Sequence, residues 1–336
     1  MEGTLRRAEE AGGLKTLDTE ALHRMVRLSI EEFIERELPD LGEKTARFRY
    51  LFDRLCESVY RIMDEVADEL RNSDFVPLAF ELGFGAGGEL PAITVRDGAR
   101  EVRVDGRVDR VDGWLQDGKL YLRVVDYKTG KKSFDLADLR YGLGIQMLLY
   151  LFALKREGRG YFGHEIVPAG VLYTPTRDPI LPGARGMTDE QIKAALRRNL
   201  RRSGMVLDDP RVLQAMEHSA LEEPCYLPVT AKRDKEGKLL LGGSLASSEQ
   251  LGKLGQYVDH LLRRIAREMA AGNIDADPYA RSPQDTACTY CPFAPACHFT
   301  PGQGRDHLEY IRSVKNGEFW SDLNETLTGE EAQEHA

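Results

Sequence analysis

The sequence predicts an α/β fold in which a small mixed sheet is flanked by helices, with helical extensions at both ends. Apolar residues at helical spacing, such as Phe52 and Val59, predict two amphipathic helices within residues 17–72. Residues 101–108 instead alternate between apolar and polar types, which is typical of a strand. After Pro182 the helical periodicity returns. Together these changes of period indicate a central sheet with helices before and after it.

The elements between the helical ends define the expected core. Further strands are predicted at 77–84, 119–126 and 166–173, and an apolar helix at 143–154. The expected segments are a helical N-terminal extension at 1–74, a core at 75–180, a helical region at 181–275, a cysteine-rich loop at 276–300 and a tail at 301–336.

The composition limits the possible classes of function. The chain has 336 residues, 42% hydrophobic and 30% charged, as in ordinary globular proteins. Its net charge of −9 argues against a protein that coats nucleic acid, but carboxylates that hold a metal contribute to the same sum. No apolar run approaches the roughly 20 residues that span a bilayer. The start of the sequence has no apolar secretory stretch, so we expect no membrane partner and a cytoplasmic location.

Two carboxylates and a lysine form the most informative pattern. The sequence reads VDGRVDRVDG at 104–113 and LRVVDYKTG at 122–130. Residues two apart on a strand share a face, so Asp126 and Lys128 point the same way. Asp109 ends the preceding strand and meets Asp126 if the two strands form a hairpin. Such carboxylates bind hard divalent cations, and a lysine beside them orients an attacking water or stabilises developing charge.

The helix after these strands carries two polar groups on one face. Gln146 and Tyr150 are four residues apart within an otherwise apolar helix. They can reach into a cleft, or Tyr150 can be a core aromatic and Gln146 a boundary residue.

A cysteine cluster follows near the end of the chain. Cys288, Cys291 and Cys297 lie within ten residues, whereas Cys56 and Cys225 stand apart. In a reducing compartment, three thiolates at this spacing indicate metal ligation before disulfides. The close pair is compatible with zinc and with iron–sulfur clusters alike.

The motifs GRVDRVD, VVDYKTG and QMLLY, in that order, resemble the RecB-like branch of the PD-(D/E)XK nucleases. Within that branch, the C-terminal nuclease domain of AddB-type helicase–nuclease subunits is the most similar. The resemblance covers about residues 75–300. It implies a restriction-endonuclease-like core and a Mg²⁺ (or Mn²⁺) site. The implied roles are metal ligation by Asp109, Asp126 and the Tyr127 carbonyl, catalysis by Lys128, and an accessory motif of Gln146 and Tyr150.

The cysteine loop also resembles part of the [4Fe–4S] staple of the same nucleases. There the cluster joins the C-terminal segment to a cysteine upstream of the nuclease strands. That upstream cysteine is not recognisable in this sequence, nor is the first nuclease motif, for which His23 is a poor substitute. The resemblance therefore implies the C-terminal portion of a larger protein, in which Cys288, Cys291 and Cys297 hold a cluster that this chain alone binds poorly or replaces with zinc.

The function implied by the resemblance is hydrolysis of DNA, most simply exonuclease action on single-stranded ends within a helicase–nuclease that repairs double-strand breaks by recombination. A helicase–nuclease partner subunit is then expected. Two alternatives remain: a stand-alone iron–sulfur exonuclease of the CRISPR-adaptation type, and a non-catalytic, metal-stapled DNA-binding module. Basic residues that can contact phosphates are Lys131, Lys132, Lys193, Arg197, Arg198, Arg201 and Arg202, and aromatics available for stacking are Phe134, Tyr141 and Tyr161.

Overall fold

The computed structural model describes residues 2–98, 100–130, 134–176, 186–304 and 306–334. The chain divides into two compact units. Unit 1 comprises Met1–Ala92, Asp105–Ser133 and Tyr150–Leu251, and unit 2 comprises Ile93–Val104, Phe134–Leu149 and Gly252–Ala336. Within the described residues, no helix is both long and apolar enough to cross a membrane.

The helices and strands are numbered along the chain. The helices are α1 (Glu2–Glu10), α2 (Thr19–Glu37), α3 (Ala46–Arg71), α4 (Leu136–Arg140), α5 (Gln146–Phe162), α6 (Asp189–Leu200), α7 (Pro210–Met216), α8 (Ser248–Ala270), α9 (Ala294–Cys297) and α10 (Asn316–Glu334). The strands are β1 (Val76–Phe84), β2 (Ile93–Asp97), β3 (Arg100–Val104), β4 (Gly106–Gln116), β5 (Lys119–Lys128), β6 (Glu165–Pro175), β7 (Ser203–Leu207), β8 (Val229–Arg233), β9 (Leu239–Gly243), β10 (Leu245–Ala246), β11 (Tyr279–Ser282), β12 (Asp285–Thr286) and β13 (Glu309–Tyr310).

Unit 1 is built on a six-stranded mixed sheet in the order β1-β4-β5-β6-β7-β10. Strands β1, β4 and β5 are mutually antiparallel, whereas β5 and β6 are parallel. Strand β7 is antiparallel to β6 and parallel to β10. A parallel pair needs a long crossover, and α4 and α5 lie in the connection between β5 and β6. The predicted fold class, a mixed sheet flanked by helices, is confirmed.

The turn between β4 and β5 determines the register of the hairpin. Asp117 and Gly118 both have positive φ, 52° and 75°, as a two-residue type I′ turn requires. The flanking residues Gln116 and Lys119 pair, and the register continues to Arg110 opposite Val125. One further step sets Asp109 opposite Asp126. The side chains of residues so paired share a face of the sheet.

The N-terminal helices α1, α2 and α3 share a core that packs on one face of this sheet. The buried members are Leu5, Ala8, Leu14, Leu22, Val26, Met63, Val66, Ala67 and Leu70. Phe80 of β1 and Tyr127 of β5 pack against this core. Side-chain caps define the starts of two helices, because Asp18 accepts a hydrogen bond from the Ala21 amide and Thr45 one from the Phe48 amide.

Unit 2 contains the β2–β3 hairpin, most of the long helix α8 and a three-stranded sheet in the order β12-β11-β13. The phenol of Tyr257 on α8 donates to the carbonyl of Arg140 at 3.0 Å, and Arg281 on β11 pairs with Asp138 on α4 at 2.5 Å. Phe319 of α10 is buried.

Several elements differ from the sequence-based expectation. Residues 101–108, predicted as one strand, are the end of β3 and the start of β4. The two strands pair with different partners, β3 with β2 and β4 with β1. The alternation of apolar and polar residues continues across Asp105 and therefore does not reveal the break. The region 181–275 is not helical throughout, since β7 and β10 join the main sheet. Those strands are short, and their hydrogen-bond partners lie far away in the sequence. The periodicity of a short segment therefore does not predict them. The predicted tail contains the helix α10.

Candidate active site

Asp109 and Asp126 lie on the same face of the central sheet, on neighbouring strands. The Oδ2 atom of Asp109 accepts a hydrogen bond from the Tyr127 amide at 2.9 Å, so its carboxylate lies at the level of Asp126 on the adjacent strand. Asp109 is half-buried, whereas Asp126 is 7% exposed. Two carboxylates in adjacent positions repel each other unless a cation lies close by.

Lys128 supplies one such cation. Its Nζ atom lies 2.7 Å from Oδ2 of Asp126, and its side chain is 35% exposed. The two residues alternate along β5, so the pairing follows from the strand geometry that the sequence predicts. The amide of Thr176, just after β6, donates to the carbonyl of Lys128 at 2.9 Å. This bond continues the β5–β6 pairing to the end of the site.

Tyr127 points to the opposite face of the sheet. Its phenol oxygen accepts a hydrogen bond from Nη1 of Arg110 at 2.7 Å, beneath the N-terminal helices. Burial raises the pKa of Tyr127 to about 12, although the Arg110 guanidinium acts in the other direction. The phenol is therefore neutral at physiological pH. The backbone of Tyr127 remains between Asp126 and Lys128.

Tyr173 of β6 borders Asp126 on the other side. The two residues are register partners in the parallel β5–β6 pair, and Tyr173 is 4% exposed. Burial and the nearby Asp126 carboxylate raise the pKa of Tyr173 to about 12, because both disfavour a phenolate. On the side of β6, the Asp126 carboxylate is thus bordered by a neutral aromatic side chain.

Glu81 is a further acidic residue of this face that sequence reasoning missed. The pairs Phe80–Arg110 and Leu82–Val108 flank it, so Glu81 lies opposite Asp109. Its φ of 51° is uncommon for a residue with a side chain, and such strain often accompanies functional sites. Its carboxylate lies 3.6 Å from Arg107. The available signal was a carboxylate inside the apolar strand PLAFELGF.

Tyr150 packs on β4 as a buried side chain. Its hydroxyl accepts a hydrogen bond from the Arg107 amide at 3.2 Å, and its ring stacks on Phe84 with centroids 5.7 Å apart. A side chain at Gly106 would lie 2.4 Å from the hydroxyl, so only glycine allows this approach. Gln146 is exposed and begins α5, one turn before Tyr150.

The donors on this face suit a hard divalent cation. Carboxylate oxygens are ligands that Mg²⁺ and Mn²⁺ prefer, and Asp109 and Asp126 offer them on one face of neighbouring strands. Within the described residues, no three His, Cys, Asp or Glu side chains are grouped to hold one metal ion. An ion held by the two carboxylates would complete its coordination with backbone and solvent oxygens, as Mg²⁺ usually does.

The cysteine loop belongs to unit 2. Cys288 and Cys291 are partly buried, Cys297 is exposed, and all three are free thiols. In the ranges that the structure describes, these three thiols are not grouped as ligands of one metal ion. Cys56 and Cys225 belong to unit 1. Burial raises the pKa of the Cys56 thiol, which disfavours the thiolate that metals bind.

Two of the arginines expected to contact phosphates have structural roles instead. Arg202 is 3% exposed and pairs with Glu69, and Arg201 donates to the carbonyls of Leu227 and Val229. Both follow the end of α6, so they do not extend its exposed face. Arg198 is exposed on that helix. Lys131, Lys132 and the side chains of Lys193 and Arg197 lie outside the described residues.

Comparison with known proteins gives one family match and many similar sequences. The family model described as the PD-(D/E)XK nuclease superfamily matches residues 7–298. A protein of Acetivibrio thermocellus, named as a subunit of an ATP-dependent helicase/deoxyribonuclease, is 34% identical over 308 residues, which cover 91% of this chain and 27% of that protein. A protein of the same name from Desulforudis audaxviator is 34% identical over 316 residues, covering 94% and 27%. The chain thus spans about a quarter of the length of the curated relatives it matches.

Proposed function

Because the chain belongs to the PD-(D/E)XK nuclease superfamily, we propose that it is a divalent-metal-dependent deoxyribonuclease with its active site at Asp109, Asp126 and Lys128. The observation that carries the proposal is the β4–β5 register. It brings two carboxylates to one face of adjacent strands, beside a lysine that pairs with the second of them.

Each group at the site has a defined task in the proposed reaction. Asp109, Asp126 and the Tyr127 carbonyl hold Mg²⁺ or Mn²⁺. Such an ion would supply Lewis-acid activation of the phosphoryl group and of the attacking water. The Lys128 ammonium orients the attacking water and stabilises charge that develops on the phosphoryl oxygens. Tyr150 holds the start of β4 through the Arg107 amide. The family resemblance assigns Gln146 to the same accessory motif as Tyr150.

We propose exonuclease action on single-stranded DNA ends as the finer activity. The relatives' name combines a helicase with a deoxyribonuclease. By analogy, the chain acts in the cytoplasm as the nuclease part of a helicase–nuclease, with a partner subunit, in recombinational repair of double-strand breaks.

The test of this function is digestion of labelled single-stranded DNA. With Mg²⁺, linear DNA labelled at one end is expected to release short labelled products before internal products appear, and a chelator is expected to stop the reaction. Cleavage of circular single-stranded DNA as fast as linear DNA would show that the enzyme is an endonuclease and not an exonuclease. Binding of DNA without any metal-dependent cleavage would leave only a non-catalytic module.

A Lys128→Ala variant separates catalysis from metal binding. We expect Mn²⁺ affinity within about threefold of wild type, because lysine is not a ligand, but cleavage about 10²- to 10³-fold slower. The matched control is Lys119→Ala at the other end of β5, where Lys119 pairs with Glu165 on the surface. Cleavage by Lys128→Ala as fast as by this control would remove Lys128 from the mechanism.

The cysteine loop has no role in the proposed cleavage reaction. We propose that Cys288, Cys291 and Cys297 are one thiolate short of the four that usually hold a [4Fe–4S] cluster, and that this chain binds iron substoichiometrically. Metal analysis after anaerobic reconstitution with iron and sulfide measures this, and four irons retained per chain would contradict it.

A further inference from the structure

Tyr127 connects the two faces of the sheet at the candidate site. On the site face its amide donates to Asp109 at 2.9 Å. On the other face its phenol accepts from Arg110 at 2.7 Å, and the Arg110 guanidinium also lies over its ring, 5.6 Å from the centroid. Tyr127 is thus held at its amide and at its phenol, and its backbone lies between Asp126 and Lys128.

Arg110 belongs to a buried network of five charged side chains. Asp112 lies 2.8 Å from Nε of Arg110 and 2.8 Å from Nε of Arg123. Glu69 of α3 lies 3.0 Å from Nη2 of Arg123 and 2.7 Å from Nη2 of Arg202. None of the five side chains is more than 3% exposed. The network thus links α3, β4, β5 and the segment after α6.

Stability alone does not account for such a network. Buried ion pairs lose about as much from desolvation as they gain from attraction, and apolar residues of similar volume often stabilise a protein more. A buried charge nevertheless has few acceptable positions, because each displacement leaves a partner unsatisfied. The network therefore restricts where Arg110, and with it Tyr127, can lie.

We propose that this buried network is a positioning device for the metal site and that it acts through the phenol of Tyr127. Arg110 and the Tyr127 phenol are positioning groups, which touch neither substrate nor metal. They hold the end of β5 so that the Tyr127 carbonyl, Asp109 and Asp126 keep the spacing that the ion requires. This inference rests on the proposed function, because it assigns a purpose to the geometry of that site.

Tyr127→Phe tests the tether with the least change of volume. The matched control is Tyr121→Phe, on the same strand, where the ring contacts Trp114. In the metal-free protein, hydrogen exchange of the amides around Tyr127 is expected to become about tenfold faster in Tyr127→Phe and to stay at the wild-type rate in the control. In a Mn²⁺ titration, Tyr127→Phe is expected to bind about tenfold more weakly than wild type and the control.

The Mn²⁺ affinity of wild type tests the proposed function, and the comparison of Tyr127→Phe with wild type tests the positioning role. If wild type binds Mn²⁺ and Tyr127→Phe matches it in both exchange and affinity, the positioning role is overturned while the metal site stands. A variant that only melts earlier, with wild-type exchange and affinity, also overturns it, because that pattern reports a purely structural bond. If wild type binds no Mn²⁺, the proposed function itself fails.

Discussion

Asp126→Asn is expected to slow Mg²⁺-dependent cleavage of single-stranded DNA by about 10³-fold or more while the protein stays folded. The substitution keeps the shape of the side chain but removes the charge of a proposed metal ligand. It also removes repulsion between Asp109 and Asp126 on adjacent strands. The amide oxygen of asparagine can still accept a hydrogen bond from the Lys128 ammonium, which lies 2.7 Å from Oδ2 of Asp126. Initial rates on end-labelled DNA and a thermal unfolding curve measure the two effects separately.

Asp117→Asn provides the control for that experiment. Asp117 lies in the turn of the same β4–β5 hairpin with φ of 52°, a conformation that asparagine adopts readily. The control is expected to cleave at the wild-type rate. Equal rates for Asp126→Asn, Asp117→Asn and wild type would show that Asp126 is not a ligand.

Glu69→Ala is expected to destabilise the protein by about 3–5 kcal/mol, as measured by urea unfolding. Glu69 is 2% exposed and pairs with Arg123 and Arg202, so its removal leaves both guanidiniums buried with an incomplete set of partners. Glu57→Ala, on the exposed side of the same helix, is the control and is expected to change the free energy of unfolding by less than about 0.5 kcal/mol. A similar small change for Glu69→Ala would contradict the network.

The same carboxylate gives the network a pH dependence. Burial raises the pKa of Glu69, but the guanidiniums of Arg202, Arg123 and Arg110 outweigh burial and lower it to about 2, from an ordinary 4.5. A lowered pKa contributes stability above pH 4.5 that is lost as the pH falls towards 2. The stability difference between wild type and Glu69→Gln is therefore expected to shrink across that interval. A constant difference would contradict the assignment.

The part of the site that the sequence predicts is the part that depends on local rules. The alternation along β5 gives the common face of Asp126 and Lys128. The sequence adds Asp109 only on the condition that the two strands form a hairpin, and the structure shows that hairpin, closed by the Asp117–Gly118 turn. Both signals lie within one hairpin. The same hairpin also contains Arg110, whose burial and partners its local sequence does not indicate.

The remainder depends on contacts between residues far apart in the chain. The sequence around Arg202 is typical of a solvated helix end. Only the fold brings Arg202 to Glu69, 133 positions earlier. Glu81 stands out in the sequence only as a carboxylate within an apolar strand, and the pairing of β1 with β4 sets it opposite Asp109. Strands β7 and β10 are short, and pairing within the sheet stabilises them more than their own sequence does, so the sequence alone does not predict them.

Mn²⁺ titration of the metal-free protein tests the central claim most directly, because it measures whether the two carboxylates hold a divalent ion. The samples are wild type, the double variant Asp109→Asn with Asp126→Asn, and Asp117→Asn. We expect wild type and Asp117→Asn to bind Mn²⁺ with equal affinity, and the folded double variant to show no saturable binding at the same site. Mn²⁺ binding by the double variant with wild-type affinity would contradict the assignment of the site.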